Sequence, residues 1–151
     1  MNESNTHSVT VVDRSVWRRG EGIDNSMLLN DHKFCFFGFY AKDHGIAEID
    51  IKEIVEPIDL LYEGVQPEKI KNLLIAVDLP DEEYEENNPH YIQKEIVYDI
   101  TKLNDVPVGD SVELSTSCPL PGTFYMQSEE QREEAIQLFA ALLDEEVIYI
   151  N

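Results

Sequence analysis

The hydrophobic pattern changes period along the chain, and each change predicts an element. Ser8-Val9-Thr10-Val11-Val12 is rich in β-branched residues and predicts a short strand. Trp17 to Asn25 carries Gly20 and Gly22 and reads as a loop. Met27-Leu28-Leu29 and His32-Lys33-Phe34-Cys35 flank Asn30-Asp31, which predicts a hairpin with a polar turn. Phe36, Phe37, Phe39, Tyr40 and Ala41, followed by Gly45, predict a short aromatic helix closed by a glycine. Gly38 inside that helix costs roughly 1 kcal/mol relative to alanine, so a close neighbour is expected there.

A second short helix is expected between Ile46 and Val55, stopped ahead of Pro57, and a third from Pro67 to Leu74. Residues 78–89 have no apolar period, and five of the six from Asp81 to Glu86 are acids, which predicts an exposed loop. Ile92, Ile96, Val97, Ile100 and Leu103 share one helical face, predicting a helix from Tyr91 to Leu103 that Asn104-Asp105 ends. Val106 to Gln127 reads as a long loop with one short strand at Val112-Glu113-Leu114. Ser128-Glu129-Glu130-Gln131 is a capping box opening a last helix. That helix has a buried stripe of Ile136, Phe139, Ala140 and Leu143 opposite a polar stripe of Glu130, Glu133, Glu134 and Gln137. Val147 to Ile150 closes the chain as a strand long enough to pair with Ser8–Val12.

No internal repeat or interdomain linker interrupts this order. The expectation is one α+β domain over residues 1–151, with a frayed leader at 1–7. It should hold a short, mostly antiparallel sheet that includes both terminal strands, with about four to five helices. A chain of 151 residues that is 42% hydrophobic can bury one sizeable core. No apolar run nears the roughly 20 residues of a membrane span, and the opening residues do not form a signal peptide. With only Cys35 and Cys118, no disulfide framework is expected, and a cytoplasmic location follows.

Charge adds more than composition does. The net charge is −20, and it is uneven: 13 acids face 8 bases up to residue 75, a net of −5, and 18 face 3 beyond it, a net of −15. Such a surface repels nucleic-acid backbones and anionic membranes and attracts basic protein faces. Ordinary solubility is served by the same charge, so both readings stand at this point.

Candidate chemistry is sparse. Cys35 lies where a helix begins, with Asp43 and His44 downstream, and invites a thiol-nucleophile reading. Nine residues of helix span roughly 13 Å, however, so His44 cannot reach Cys35 along it, and a free cysteine among aromatics packs as a small hydrophobe. Trp17-Arg18-Arg19-Gly20-Glu21-Gly22 lacks phosphate-loop spacing, although paired arginines can clamp an anion or pair with internal acids. The acids at 81–86 lack the glycine and alternation of a calcium loop, and no G-x-S-x-G, H-E-x-x-H or C-x-x-C occurs. No cofactor, metal or catalytic set is expected.

Trp17-x-Arg19-Gly20-x-Gly22, Leu28-Leu29, Phe34-Cys35-x-x-Gly38-Phe39 and Gly45-Ile46 form an ordered pattern. It resembles a family of small phage and prophage proteins with W-x-R-G, L-L, C-C-L-G-F and G-[LI] in that order. The likeness resumes at Leu103-Asn104-Asp105 and Glu129-Glu130-Gln131-Arg132-Glu133, and runs through Leu138-Phe139 to Glu146-Val147-Ile148-Tyr149. It covers about half the chain. The chain departs from the pattern at Phe36, which replaces a second cysteine, and by inserting Pro107 to Gln127.

The resemblance implies origin and no particular activity. Combined with the charge, it leads to the expectation of a non-enzymatic phage protein that inhibits a host defence protein, for example a CRISPR nuclease. The acidic surface would meet a basic, nucleic-acid-binding face of that partner, in the specific form as a nucleic-acid mimic. The expected carriers are Glu82, Glu83, Glu85, Glu86, Glu130, Glu133 and Glu134. The alternatives are a small enzyme or ligand-binding protein using Cys35 and Arg18/Arg19, or a phage assembly accessory.

Overall fold

A helix that is apolar on every side belongs in the middle of a fold, and helix α1 (Phe36–Asp43) buries all six residues from Phe36 to Ala41. The computed structural model describes residues 8–22, 28–54, 89–114 and 122–151. Among them are three further helices: α2 (Glu48–Ile51), α3 (Pro89–Asp105) and α4 (Glu129–Ala141). Six short strands form three two-stranded ribbons: β1 (Ser8–Asp13), β2 (Leu29–Asn30), β3 (Lys33–Phe34), β4 (Ser111–Glu113), β5 (Thr123–Tyr125) and β6 (Glu145–Ile150). The arrangement is a small α+β fold. The expected leader at 1–7, the helix from Pro67 to Leu74 and the acidic stretch 78–88 lie outside the described residues.

The two ends of the sequence meet as expected, but in parallel: Ser8 stands beside Glu145 and Asp13 beside Ile150. The other two ribbons are antiparallel. A parallel pair needs a crossover between its strands, and here every other element lies within that crossover. Helices α1 and α4 pack on the inner face of β1 and β6, where Thr10, Val12 and Val147 are buried.

The hairpin forms one residue later than expected. Its turn is Asp31-His32, both left-handed at φ 57° and 66°, as a two-residue turn of the right-twisting kind requires. Helix α2 is only one turn long because the chain after it pairs with β2 instead. Glu53 N–H donates to Leu29 O at 2.7 Å and Leu28 N–H to Ile54 O at 2.8 Å.

Helix α3 begins at Pro89, two residues ahead of the expected start, with proline at the first position where its missing N–H is harmless. Helix α4 starts as the capping signal predicts: Ser128 Oγ accepts from Gln131 N–H at 3.1 Å. The Gln131 side chain reaches back one residue further than the box prescribes, accepting from Gln127 N–H at 2.6 Å. Residues 106–127, read as a loop with one strand, hold two: β4 pairs with β5, and Val112 and Phe124 turn into the core.

Gly38 explains its own presence in α1. A Cβ built there would lie 1.7 Å from Leu28 O and 3.1 Å from Phe34 Cβ, so the hairpin backbone rests directly on the helix. Helix propensity alone would make Gly38→Ala stabilising by roughly 1 kcal/mol. The contact predicts the reverse, a loss of about 3 kcal/mol or more, because the obstructing atom is backbone and cannot rotate away. Urea denaturation decides between the two signs, and a stabilised variant would refute the contact.

Candidate functional site

Cys35 occupies the N-cap position of α1 and His44 the C-cap position, so the helix holds the two at opposite ends. The Cys35 thiol is buried, and burial above all pushes it up to about 12, which leaves it protonated at neutral pH. A thiol in that state packs among aromatics and attacks nothing.

His44 has a different set of neighbours. Its ring stacks on Tyr40 with centroids 4.0 Å apart, its Nδ1–H donates to Tyr40 O at 2.7 Å, and Nε2 lies 3.6 Å from Glu145 Oε1. The hydroxyls of Ser8 and Thr10 donate to the same carboxylate, Thr10 at 2.5 Å. These residues come from β1, the end of α1 and the start of β6, which is why sequence spacing does not announce them.

The set holds a serine, a histidine and an acid, but it is not an acyl-transfer triad. In a triad the imidazole stands between hydroxyl and carboxylate. Here the carboxylate is central and both hydroxyls are spent on it. Burial opposes the charged form of each partner, but the pairing outweighs it: His44 is raised above its ordinary 6.5 and Glu145 lowered below its ordinary 4.5. The cluster is a charged tie that fixes the register of β1 against β6.

The loop Trp17–Gly22 and its arginines converge on another point, the buried end of α3. Asn104 Oδ1 accepts from Trp17 Nε1–H at 2.8 Å and from Phe36 N–H at 3.0 Å. Its Nδ2 donates to Arg18 O at 3.1 Å and Asp105 Oδ1 at 2.9 Å. Gly20 N–H donates to Asn104 O and Gly22 N–H to Asp105 O, both at 2.9 Å. Arg132 is wholly buried, donates from Nη1 to Leu103 O at 2.7 Å and Asn104 O at 3.1 Å, and binds Glu129 with two nitrogens at 2.8 and 3.1 Å.

Arg19 stacks over Trp17, its guanidinium carbon 4.4 Å from the ring centre, and pairs with Glu129 at 3.0 Å. Burial of Glu129 works against its charge, but Arg132 and Arg19 together hold its carboxyl below the usual range. Gly20, at φ 71°, passes so close that a Cβ would meet Arg132 Nη2 at 2.9 Å. The paired arginines hold acids and carbonyls of the chain itself, and one buried nitrogen, Arg18 Nε, has no partner among the described residues. Arg18 donates to Asn30 O at 3.2 Å.

The residues expected to carry a partner divide. Glu82, Glu83, Glu85 and Glu86 lie outside the described residues. Glu130 and Glu134 are exposed on α4. Glu133 is half-buried and takes both nitrogens of Arg14, at 2.7 and 2.8 Å, so it braces the fold. Neither Asn104 nor Arg132 was singled out by its chemistry in the sequence. For Arg132 a signal was there: it precedes Ile136, Phe139 and Leu143 by 4, 7 and 11 positions, on the buried stripe of α4.

Two clefts remain. One, of ≈ 510 Å³, is lined by Gln137, Ala141 and residues 144–147; the other, of ≈ 540 Å³, lies under the Asp31-His32 turn beside α2. Among the described residues no group of three potential metal ligands occurs. No helix among them is long and apolar enough to cross a membrane. The chain matches no protein-family model, no curated protein and no solved structure.

Removing the Asn104 amide strands several buried groups at once. Asn104→Leu leaves Trp17 Nε1–H and Phe36 N–H unpaired, at about 1–3 kcal/mol each. Asn104→Asp keeps the acceptor but sets a second carboxylate beside Asp105 and should be at least as damaging. Trp17 fluorescence during urea denaturation measures both.

The His44 tie has a defined pH signature. Raised on folding, His44 contributes stability that is complete below about pH 6.5 and is lost as pH rises through its folded value. Lowered on folding, Glu145 contributes above about pH 4.5 and its share is lost as pH falls through its folded value. In His44→Gln the fall in urea midpoint above about pH 6.5 should flatten; an unchanged slope would assign it to other groups.

Proposed function

We propose that this chain is a non-enzymatic binding protein that sets an acidic surface against the basic face of a macromolecular partner. In its specific form, the protein is phage-encoded and the partner is a nucleic-acid-binding host defence protein, blocked because its basic groove is occupied. The observation that carries the reading is how charge is distributed. All four arginines of the chain engage internal groups: Arg14 takes Glu133, Arg19 and Arg132 take Glu129, and Arg18 takes a backbone carbonyl. Lys102 likewise donates to Glu113 O at 3.0 Å, and Lys42 lies 5.4 Å from the Phe34 ring centre.

The arginines are engaged while Lys33, Lys42 and Lys52 stay exposed, and the outward potential is set by acids that outnumber the bases 31 to 11. A field of that sign steers a basic partner into encounter and repels nucleic acid. The phage origin adds the resemblance of the Trp17–Gly22, Leu103–Asp105 and Glu129–Glu133 segments to phage and prophage proteins. The thiol-enzyme alternative gains no support from an enclosed, protonated Cys35.

Displacement of DNA from the groove of a CRISPR nuclease, followed by fluorescence anisotropy, tests the proposal. Displacement should weaken roughly tenfold or more from low to high salt. Charge reversal to lysine at Glu82, Glu83, Glu85, Glu86, Glu130 and Glu134 should abolish it while the circular dichroism stays unchanged. Glu133 is left intact because Arg14 depends on it. Displacement undiminished in the reversed variant would overturn the proposal.

A further inference from the structure

Strand β1 turns Thr10 and Val12 inward and sends Val9 and Val11 out; β6 turns Val147 inward and sends Glu146, Ile148 and Ile150 out. The parallel register sets Val9 beside Glu146, Val11 beside Ile148 and Asp13 beside Ile150. The result is an outer face with four β-branched apolar side chains at its centre and an acid at each end. Val9 and Val11 are each 37% exposed, Ile148 41% and Ile150 42%.

Parallel strands are almost always covered on both faces, because their crossovers bring elements over each side. Here the inner face is covered by α1 and α4, while among the described residues no helix packs on the outer face, which is partly exposed. Aliphatic residues gathered on such a face mark a contact surface.

The strand edges are less ready for attachment, since each already carries a side-chain bond. On the far edge of β1, Val11 N–H donates to Asp43 Oδ2 at 2.7 Å. On the far edge of β6, Gln137 Nε2 donates to Val147 O at 3.1 Å. Each edge thus carries one side-chain bond that an added strand would have to break. The face requires no such exchange.

Charge identifies the occupant. A second copy of this chain would bring another −20 against the same patch. We infer that the outer face of the β1–β6 pair docks a cationic protein segment whose aliphatic strip covers Val11, Ile148 and Ile150. Its lysines or arginines would meet the acids at the two ends of the face, Glu146 and Asp13, whose Oδ1 also holds Ser15 and Asn151. This rests on the acidic-surface reading and assigns that reading a specific contact.

The probe is a synthetic peptide of alternating lysine and leucine, titrated into the ¹⁵N-labelled full chain, with a glutamate–leucine peptide as its control. Shift changes should concentrate on residues 9–13 and 146–150. Val11→Lys with Ile148→Lys should weaken binding about tenfold, the effect of losing roughly 1.4 kcal/mol of contact. If the double variant unfolds, Ile150→Lys at the open end of the strand carries the same expectation.

Shifts confined to Glu130 and Glu134 would overturn this face and leave the acidic-surface reading intact. No binding of the lysine peptide anywhere would overturn the face and count against that reading. Equal binding by the glutamate peptide would overturn the charge argument. A dimer in sedimentation equilibrium that the double variant dissolves would make a second copy the occupant and overturn the inference.

Discussion

One buried amide holds the molecule together. Asn104 sits at the end of α3, where backbone carbonyls run out of helical partners, and its side chain offers both an acceptor and a donor pair. With these it binds the Trp17 indole, the first N–H of α1 and the carbonyl of Arg18. Arg132 then satisfies the carbonyls of Leu103 and Asn104 from the other side. Three segments far apart in sequence are thus fixed by one residue that water cannot reach, and no apolar substitute could do this.

The same arrangement engages charged side chains as well. A guanidinium that is fully enclosed needs partners for its nitrogens. Arg132 takes Glu129, whose side chain stays half open to solvent, and Arg19 shares that carboxylate. Arg14 is more open than Arg132, and its bond to Glu133 is correspondingly screened by solvent. Each pair withdraws a carboxylate along with its cation, so the net charge of −20 reflects composition, 31 acids against 11 bases, and not the pairing.

Much of the fold was legible because it depends on local periodicity. The aromatic helix, the capping signal at Ser128, the stripe of α4 and the hairpin are written within stretches of a dozen residues or fewer. Gly38 announced a close neighbour, and Leu28 O is that neighbour. The direction of the β1–β6 pairing was not legible, since nothing in either strand says which way the other runs. Thr123–Tyr125 was missed as a strand because three residues give too little alternation to count. Asn104 read as a helix stop, and its role depends on groups 68 to 87 positions away. Glu145 had the inward phase of its strand, but its hydroxyl partners lie at the opposite end of the sequence.

That last separation has a consequence for how the protein is made. Ser8 is bonded to a residue 137 positions further on, so β1 leaves the ribosome long before its partner exists. Until then its valines have no strand to lie against, and the loop that must close is nearly the whole chain. The β1–β6 pair cannot form before Glu145 is made, so a nascent chain stalled ahead of it would retain its helices' sequence signals and lack that tie.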